Sequence, residues 1–156
     1  MKLYLAGKWA DRNGSMGQKR DSLRAAGHQI THDWMTFEVP TRDHVHRGIM
    51  AVKDMEGVRA ADAVVVVMDD GDYSYRGTFT ELGGALMAKK PICMVAPEGD
   101  DFGFKQNVFW HHPAVSYVHD WESALRWLEV LQAKSVPAEP KTGNGDADAK
   151  APDAAP

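Results

Sequence analysis

The sequence predicts an α/β fold: a single domain in which helices flank a five-stranded parallel sheet. Three observations carry that expectation. Short apolar runs alternate with helix-patterned segments from the start of the chain to about residue 133. Two of those runs, Ala63-Val64-Val65-Val66-Val67 and Ile92-Cys93-Met94-Val95-Ala96, are continuous, as strands covered on both faces of a parallel sheet are. The length of 156 residues suits one domain with a real core and is short for two.

In order, Lys2 to Ala6 alternates and ends at Gly7, which predicts a first strand. A polar loop follows, with Lys8, Trp9, Asp11, Arg12, Asn13 and Gly14. Ser15 is placed to cap a helix reaching about Ala26, with Gly27 as its stop. His28 to Thr31 reads as the second strand, and its carboxyl-end loop holds His32, Asp33 and Trp34. Residues 38–47 show no period. From Val45 or Gly48 to about Ala61, Ile49, Val52, Met55 and Val58 fall at helical spacing, and Asp54 and Glu56 share that helix. Ala63 to Met68 is the third strand, Glu81 to Lys89 a helix, and Ile92 to Ala96 the fourth strand. Glu98 to His112 is a polar connection with Phe102, Phe104, Asn107, Phe109 and Trp110 and room for a short helix. Val115 to Val118 is the fifth strand. Asp120 then caps an amphipathic helix carrying Trp121, Leu125, Leu128 and Leu131 on one side. After about Ala133 the chain is Pro, Ala, Gly, Asp and Lys, too polar to order itself. The domain is therefore expected at 1–133 and a disordered tail at 134–156. Strands alternating with helices imply right-handed crossovers and a Rossmann-like or flavodoxin-like sheet.

Composition narrows the function. Apolar residues at 44% and charged residues at 26% are ordinary for a soluble protein, and no apolar run could span a bilayer. The N-terminal stretch MKLYLAG lacks a signal-peptide core, so a cytoplasmic location is expected. A net charge of -4 without a Lys/Arg cluster argues against a nucleic-acid polymer as partner. Small polar molecules suit this surface better. His44-Val45-His46 and His111-His112 do not have zinc-site spacing, and Gly14 to Lys19 lacks the phosphate-loop pattern. No metal and no cofactor are expected.

Loops at the carboxyl ends of parallel strands gather along one edge, where such folds bind ligands. That edge should hold Trp9, Trp34, the segment from Met68 to Gly77 and the Pro97 turn. Glu81 follows this segment. Thr78-Phe79-Thr80-Glu81 fits a capping box, and a carboxylate at a helix start is also held in the charged form that a nucleophile needs. Both readings stand at this point. Asp69, Asp70 and Asp72 form a like-charge cluster suited to a solvated turn or to sugar hydroxyls. Asp54 alone reads as a solvated helix residue. Trp9, Trp34, Tyr73 and Tyr75 are loop aromatics, better ligand candidates than core aromatics.

Three stretches carry a resemblance: Leu3-Tyr4-Leu5-Ala6-Gly7-Lys8-Trp9, Asp54-Met55-Glu56-Gly57-Val58-Arg59-Ala60-Ala61-Asp62, and Gly77-Thr78-Phe79-Thr80-Glu81-Leu82-Gly83. In that order and spacing the sequence resembles the nucleoside 2-deoxyribosyltransferases and the related 2'-deoxynucleoside 5'-monophosphate N-glycosidases, from about Lys2 to Leu131. The resemblance implies a retaining attack on a 2-deoxyribosyl N-glycoside, with a covalent sugar ester on Glu81 passed to a second base or to water. It implies Asp54 as assistant and Tyr4 as the group that orients Glu81. Gly7, Trp9, Asp33, Trp34, Asp69, Asp70, Asp72, Tyr75, Gly77 and Asn107 become candidate contacts to a nucleoside or nucleotide and free base. Asn107 falls where transferases reach a neighbouring subunit's substrate, which implies a homo-oligomer. The sequence departs from the pattern where an aspartate is expected six residues before the nucleophile, because Tyr75 stands there. A 5'-monophosphate hydrolase is the enzymatic alternative, and a binding module without turnover is the alternative of another class.

Overall fold

The computed structural model describes residues 1–37, 43–99 and 103–135. Five parallel strands form one sheet: β1 (Lys2–Ala6), β2 (Gln29–Ile30), β3 (Ala63–Val67), β4 (Ile92–Val95) and β5 (Val115–Val118), in the order β2-β1-β3-β4-β5. This is the flavodoxin-like order, whose strand direction of travel reverses between β1 and β3. Tyr4 pairs with Val64 and Ala6 with Val66 across that junction. All five residues of β3 are buried, as are the four of β4. Their unbroken apolar character follows from helices covering the sheet.

Four helices do so: α1 (Ser15–Ala25), α2 (His44–Ala60), α3 (Arg76–Met87) and α4 (Trp121–Ser135). The indole of Trp121 donates to Ser22 Oγ at 2.9 Å and ties α4 to α1. Helices α2 and α3 pack against each other. Asp43 caps α2 by accepting from the amides of Val45 and His46, and Asp120 accepts from the amide of Ser123 at 2.7 Å at the start of α4, as expected.

Four boundaries differ from expectation. Ser15 is the first residue of α1 rather than its cap, because Gly14 holds the cap position and the Asp11 carboxylate accepts from the Met16 amide at 3.3 Å. The second strand shrinks to Gln29–Ile30, an edge strand paired only with β1. Helix α3 starts at Arg76, five residues before Glu81, so the capping box is absent. The helix opens instead at Tyr75, whose left-handed backbone (φ 47, ψ 30) turns the chain. Thr78 directs its hydroxyl to the Gly7 carbonyl at 3.2 Å rather than to its own helix. Helix α4 continues two residues beyond the expected domain boundary, to Ser135. The rest of the proposed tail, the Phe102 position and residues 38–42 of the aperiodic stretch lie outside the described residues. No helix among the described residues is long and apolar enough to cross a membrane.

Candidate active site

The site forms where β1 and β3 end side by side. Gly7 follows β1, and a Cβ there would stand 2.5 Å from Met16 Cε. A side chain there would displace the end of Met16, which packs from α1 against the turn. The Thr78 bond to the Gly7 carbonyl then clamps the first turn of α3 against the end of β1. Glu81, one turn further along α3, is thereby carried over the side chain of Tyr4.

Tyr4 is wholly buried, and its hydroxyl lies 2.6 Å from Glu81 Oε1 and 3.1 Å from Asp54 Oδ1. Three elements thus converge on one oxygen: β1, α2 and α3. Gly57 makes this possible, since a Cβ on it would meet the Tyr4 ring at 2.9 Å. Burial pushes the Glu81 carboxyl up to about 7, the bond from Tyr4 opposes that, and the Asp54 charge adds to it. Burial also raises Asp54, opposed by the Tyr4 bond and by His32. Tyr4 itself is raised, first by burial and then by both carboxylates. A phenol has one proton, so it can serve only one of two ionised carboxylates. The trio is therefore arranged to hold one further proton, titrating as a unit.

Above the trio lies a cavity of about 150 Å³. Its lining includes six residues expected from the sequence: Gly7, Trp9, Trp34, Asp54, Gly77 and Glu81. Met50, Tyr73 and Thr78 also line it. Tyr73 was legible as a loop aromatic; Met50 and Thr78 gave no signal, because only the packing of α2 and α3 turns them inward. Trp34 donates its indole N–H to the Leu5 carbonyl at 2.7 Å and stacks at 5.7 Å on Trp9, which the Arg12 guanidinium covers from outside.

The remaining candidates lie elsewhere. Asp33 is held by Arg24 at 2.8 Å and Arg20 at 3.4 Å, beside a different hollow. Asp70 pairs with Lys8 and Asp69 with Lys19, at 3.4 Å for the latter. Asp72 is exposed and donates its amide to Asp70 Oδ1. Tyr75 is wholly buried, packs edge-on against Tyr73 and accepts the Asp70 amide at 2.9 Å on its hydroxyl, outside the cavity lining. Asn107 caps a 3-10 turn by accepting from the Phe109 amide and lines a neighbouring hollow that shares Tyr73 with the cavity. Among the described residues no group of three metal-ligating side chains assembles.

The sequence pattern of the family described as nucleoside 2-deoxyribosyltransferase matches residues 3–120. The chain belongs to that family. The match spans every group of the trio. Two solved structures share the fold. One is a 2-deoxyribosyltransferase of Bacillus psychrosaccharolyticus, 22% identical, with a TM-score of 0.60 over 80% of this chain and 90% of that one. The other is the CMP N-glycosidase BcmB of Clostridium botulinum, 15% identical, with a TM-score of 0.54 over 83% of this chain and 99% of that one. No curated protein sequence matches significantly. For a member of the deoxyribosyltransferase family, the departure at the position of Tyr75 now has a physical description: the residue there is a buried wedge under the rim, not a wall of the cavity.

Proposed function

We propose that this protein cleaves the N-glycosidic bond of a 2'-deoxynucleoside with Glu81 as nucleophile, passing the sugar to a second base or to water. The observation that carries the reading is the Tyr4 hydroxyl shared by Glu81 and Asp54 at the floor of a small cavity. In the first step a Glu81 carboxylate oxygen bonds to C1' while the C1'–N bond breaks and its electrons leave with the base. Tyr4 holds Oε1 and so fixes the carboxylate for in-line attack. Asp54 steadies the sugar and, when it carries the proton of the trio, is placed to give it up. The incoming base or water then reverses the attack at C1', which retains configuration overall.

The cavity is smaller than the roughly 300–1,000 Å³ of typical small-molecule sites. It matches the sugar, and the base extends outward beside Trp9, Trp34 and Tyr73. Gly77, at the uncapped start of α3, faces the same space. A site of this size gains from a neighbour. Helix α2 exposes Val45, Ile49 and Val52 at 72%, 50% and 57%, and Asn107 is followed by exposed Val108 and Phe109. These surfaces support a homo-oligomer in which Asn107 approaches the next subunit's substrate. Sedimentation velocity tests it, and a monomer at working concentration defeats it.

The 5'-monophosphate alternative draws on Arg12, which rests on Trp9 and forms no ion pair among the described residues. Against it, Lys8 and Lys19 are already engaged by Asp70 and Asp69. Deoxynucleosides and their 5'-monophosphates, incubated with and without a free acceptor base and followed by chromatography, separate the cases. Base release or exchange lost in Glu81→Ala, with a deoxyribosyl adduct on Glu81 by mass spectrometry, supports the reading. Binding without turnover across the panel would make the protein a binding module instead.

A further inference from the structure

The trio has a fourth neighbour that no motif marks. His32 follows β2, and its Nε2 stands 3.5 Å from Asp54 Oδ1, the far edge of hydrogen-bond reach. That nitrogen is buried and makes no hydrogen bond, so Asp54 is the acid it faces without yet being bonded to it. A buried polar atom left without a partner is costly, so its aim at Asp54 needs a reason.

The backbone enforces this approach. A Cβ at Gly57 would stand 2.6 Å from His32 Cβ as well as 2.9 Å from Tyr4 Cδ2, so one glycine of α2 admits both rings. The Thr31 hydroxyl, next to His32 in sequence, donates to the Gly57 carbonyl at 2.8 Å and locks the loop to the helix. Phe37 closes on the imidazole at 5.2 Å. On its other side His32 lines a second hollow of about 480 Å³, together with Lys53 and Glu56. The charged groups around the ring are Asp54 and Lys53 from α2 and Asp33 from its own loop, with Glu81 of α3 reached through Tyr4. The result is a continuous line: Glu81, Tyr4, Asp54, His32.

A nucleophilic Glu81 must be ionised, and at neutral pH its buried carboxyl sits close to half-protonated. We propose that His32 is a positioning residue that acts through Asp54, taking up the proton that Glu81 must give up. The Glu81 carboxyl gives its proton to the Tyr4 oxygen, Tyr4 passes its own to Asp54 Oδ1, and Asp54 passes one to the lone pair on Nε2. Glu81 ends as a carboxylate, His32 as an imidazolium, and Tyr4 and Asp54 are unchanged. The shorter bond, from Tyr4 to Glu81, is the one expected of a phenol donating to an ionised acid. Burial holds the imidazole neutral and below its usual range, so a nitrogen is free to accept but the transfer is uphill at rest. It is drawn forward as the Glu81 carboxylate bonds to C1' and its charge is consumed. The same line can return the proton to Asp54 when the base departs.

Two measurements test this, one of them independent of turnover. Nitrogen-15 NMR of the histidine side chains follows the protonation of His32, assigned by the signal lost in His32→Phe. The midpoint of His32 should fall by half a pH unit or more in Asp54→Asn, and by less in Glu81→Gln. An unchanged midpoint in Asp54→Asn overturns the proposal. The kinetic arm rests on the deoxyribosyl-transfer reading: His32→Phe should lower kcat about tenfold at pH 6 with KM within twofold, and should move the acid limb of the profile to higher pH. His32→Gln keeps a polar side chain but cannot store a proton, so it should not restore kcat. Full restoration by glutamine overturns the proton role. A protein with no glycosidic turnover but with coupled His32 titration would sink the enzymatic reading and leave this one standing. Activity in wild type with an uncoupled His32 would do the reverse.

Discussion

Two groups of acids, one at the floor of the candidate site and one on the loop after β3, obey opposite physics. At the floor, Glu81 and Asp54 share a phenol and form no ion pair with a lysine or arginine among the described residues; burial raises both. At the rim, Asp69 and Asp70 are engaged by Lys19 and Lys8, and the Lys8 bond holds Asp70 below the usual carboxylate range. Asp72 stands in solvent. Number of charges does not mark the reactive acid. What marks it is that its charge is left unneutralised in a dry place, where it titrates near the working pH. Asp70 and Asp69 instead join the loop after β3, which carries Tyr73, to the first loop through Lys8 and to α1 through Lys19.

The comparison breaks most sharply at Glu81. Glu81→Gln should lower turnover by at least about 10³-fold, since an amide cannot serve as the nucleophile that forms the ester. It should also change how stability depends on pH. The folded Glu81 titrates at about 7 against a reference of 4.5. Folding therefore favours its protonated form. The destabilisation from ionising it is absent below about pH 4.5, grows as pH rises through the interval, and is complete above about 7. The gap corresponds to roughly 3 kcal/mol at most, less where the proton is shared with Asp54. Denaturation at pH 5 and pH 8 should show wild type losing stability with rising pH and Glu81→Gln losing much less. Equal slopes would mean the floor acid is not buried as described.

Tyr4→Phe comes next. It deletes one oxygen from a filled core and leaves two carboxylates facing each other without a donor. Turnover should fall about 10²-fold, in line with the loss of one positioned donor. Because the Tyr4 bond holds the Glu81 carboxyl down, its removal should carry the acid limb of the rate profile above 7. A limb that moves to lower pH would contradict the shared-proton arrangement.

How much of this was legible follows from the range of each interaction. Strands β3, β4 and β5 and the cap at Asp120 are local matters of pattern and hydrogen bonding, and β3 to β5 fell where the apolar runs placed them. The start of α3 was misplaced because the signal was a capping box, whereas the helix is opened by a left-handed tyrosine held by the burial of its ring. Tyr4 and Asp54 lie 50 residues apart and Tyr4 and Glu81 lie 77 apart. Only the resemblance joined them; spacing could not. Asp33 looked like a ligand residue because its partners, Arg20 and Arg24, come from α1. His32 was passed over because its one informative neighbour is in α2.

The rim predicts smaller effects. Asp70→Asn removes the charge that holds Lys8 while keeping the acceptor for the Asp72 amide. Partly exposed ion pairs contribute about 1 kcal/mol or less, so the melting temperature should move only slightly. KM should rise several-fold, because Lys8 also lies over the Tyr73 ring at 5.3 Å and the wall loosens when it is released. The value of kcat should stay within about twofold, since the trio is untouched. A large fall in kcat with KM unchanged would make Asp70 a participant in the chemistry and erase the distinction between rim and floor.

Tyr75→Phe should have the smallest effect of all. It removes only the hydroxyl that accepts the Asp70 amide, and the ring keeps its edge contact with Tyr73. A lost neutral acceptor for a backbone amide costs on the order of 1 kcal/mol. The left-handed backbone at this position persists, because the buried ring rather than the hydroxyl holds it. Turnover and substrate preference should be unchanged when Tyr75→Phe is compared with wild type across purine and pyrimidine deoxynucleosides. A changed base preference would show that the hydroxyl reaches the substrate, and that the residue standing in the family's aspartate position still reads the base.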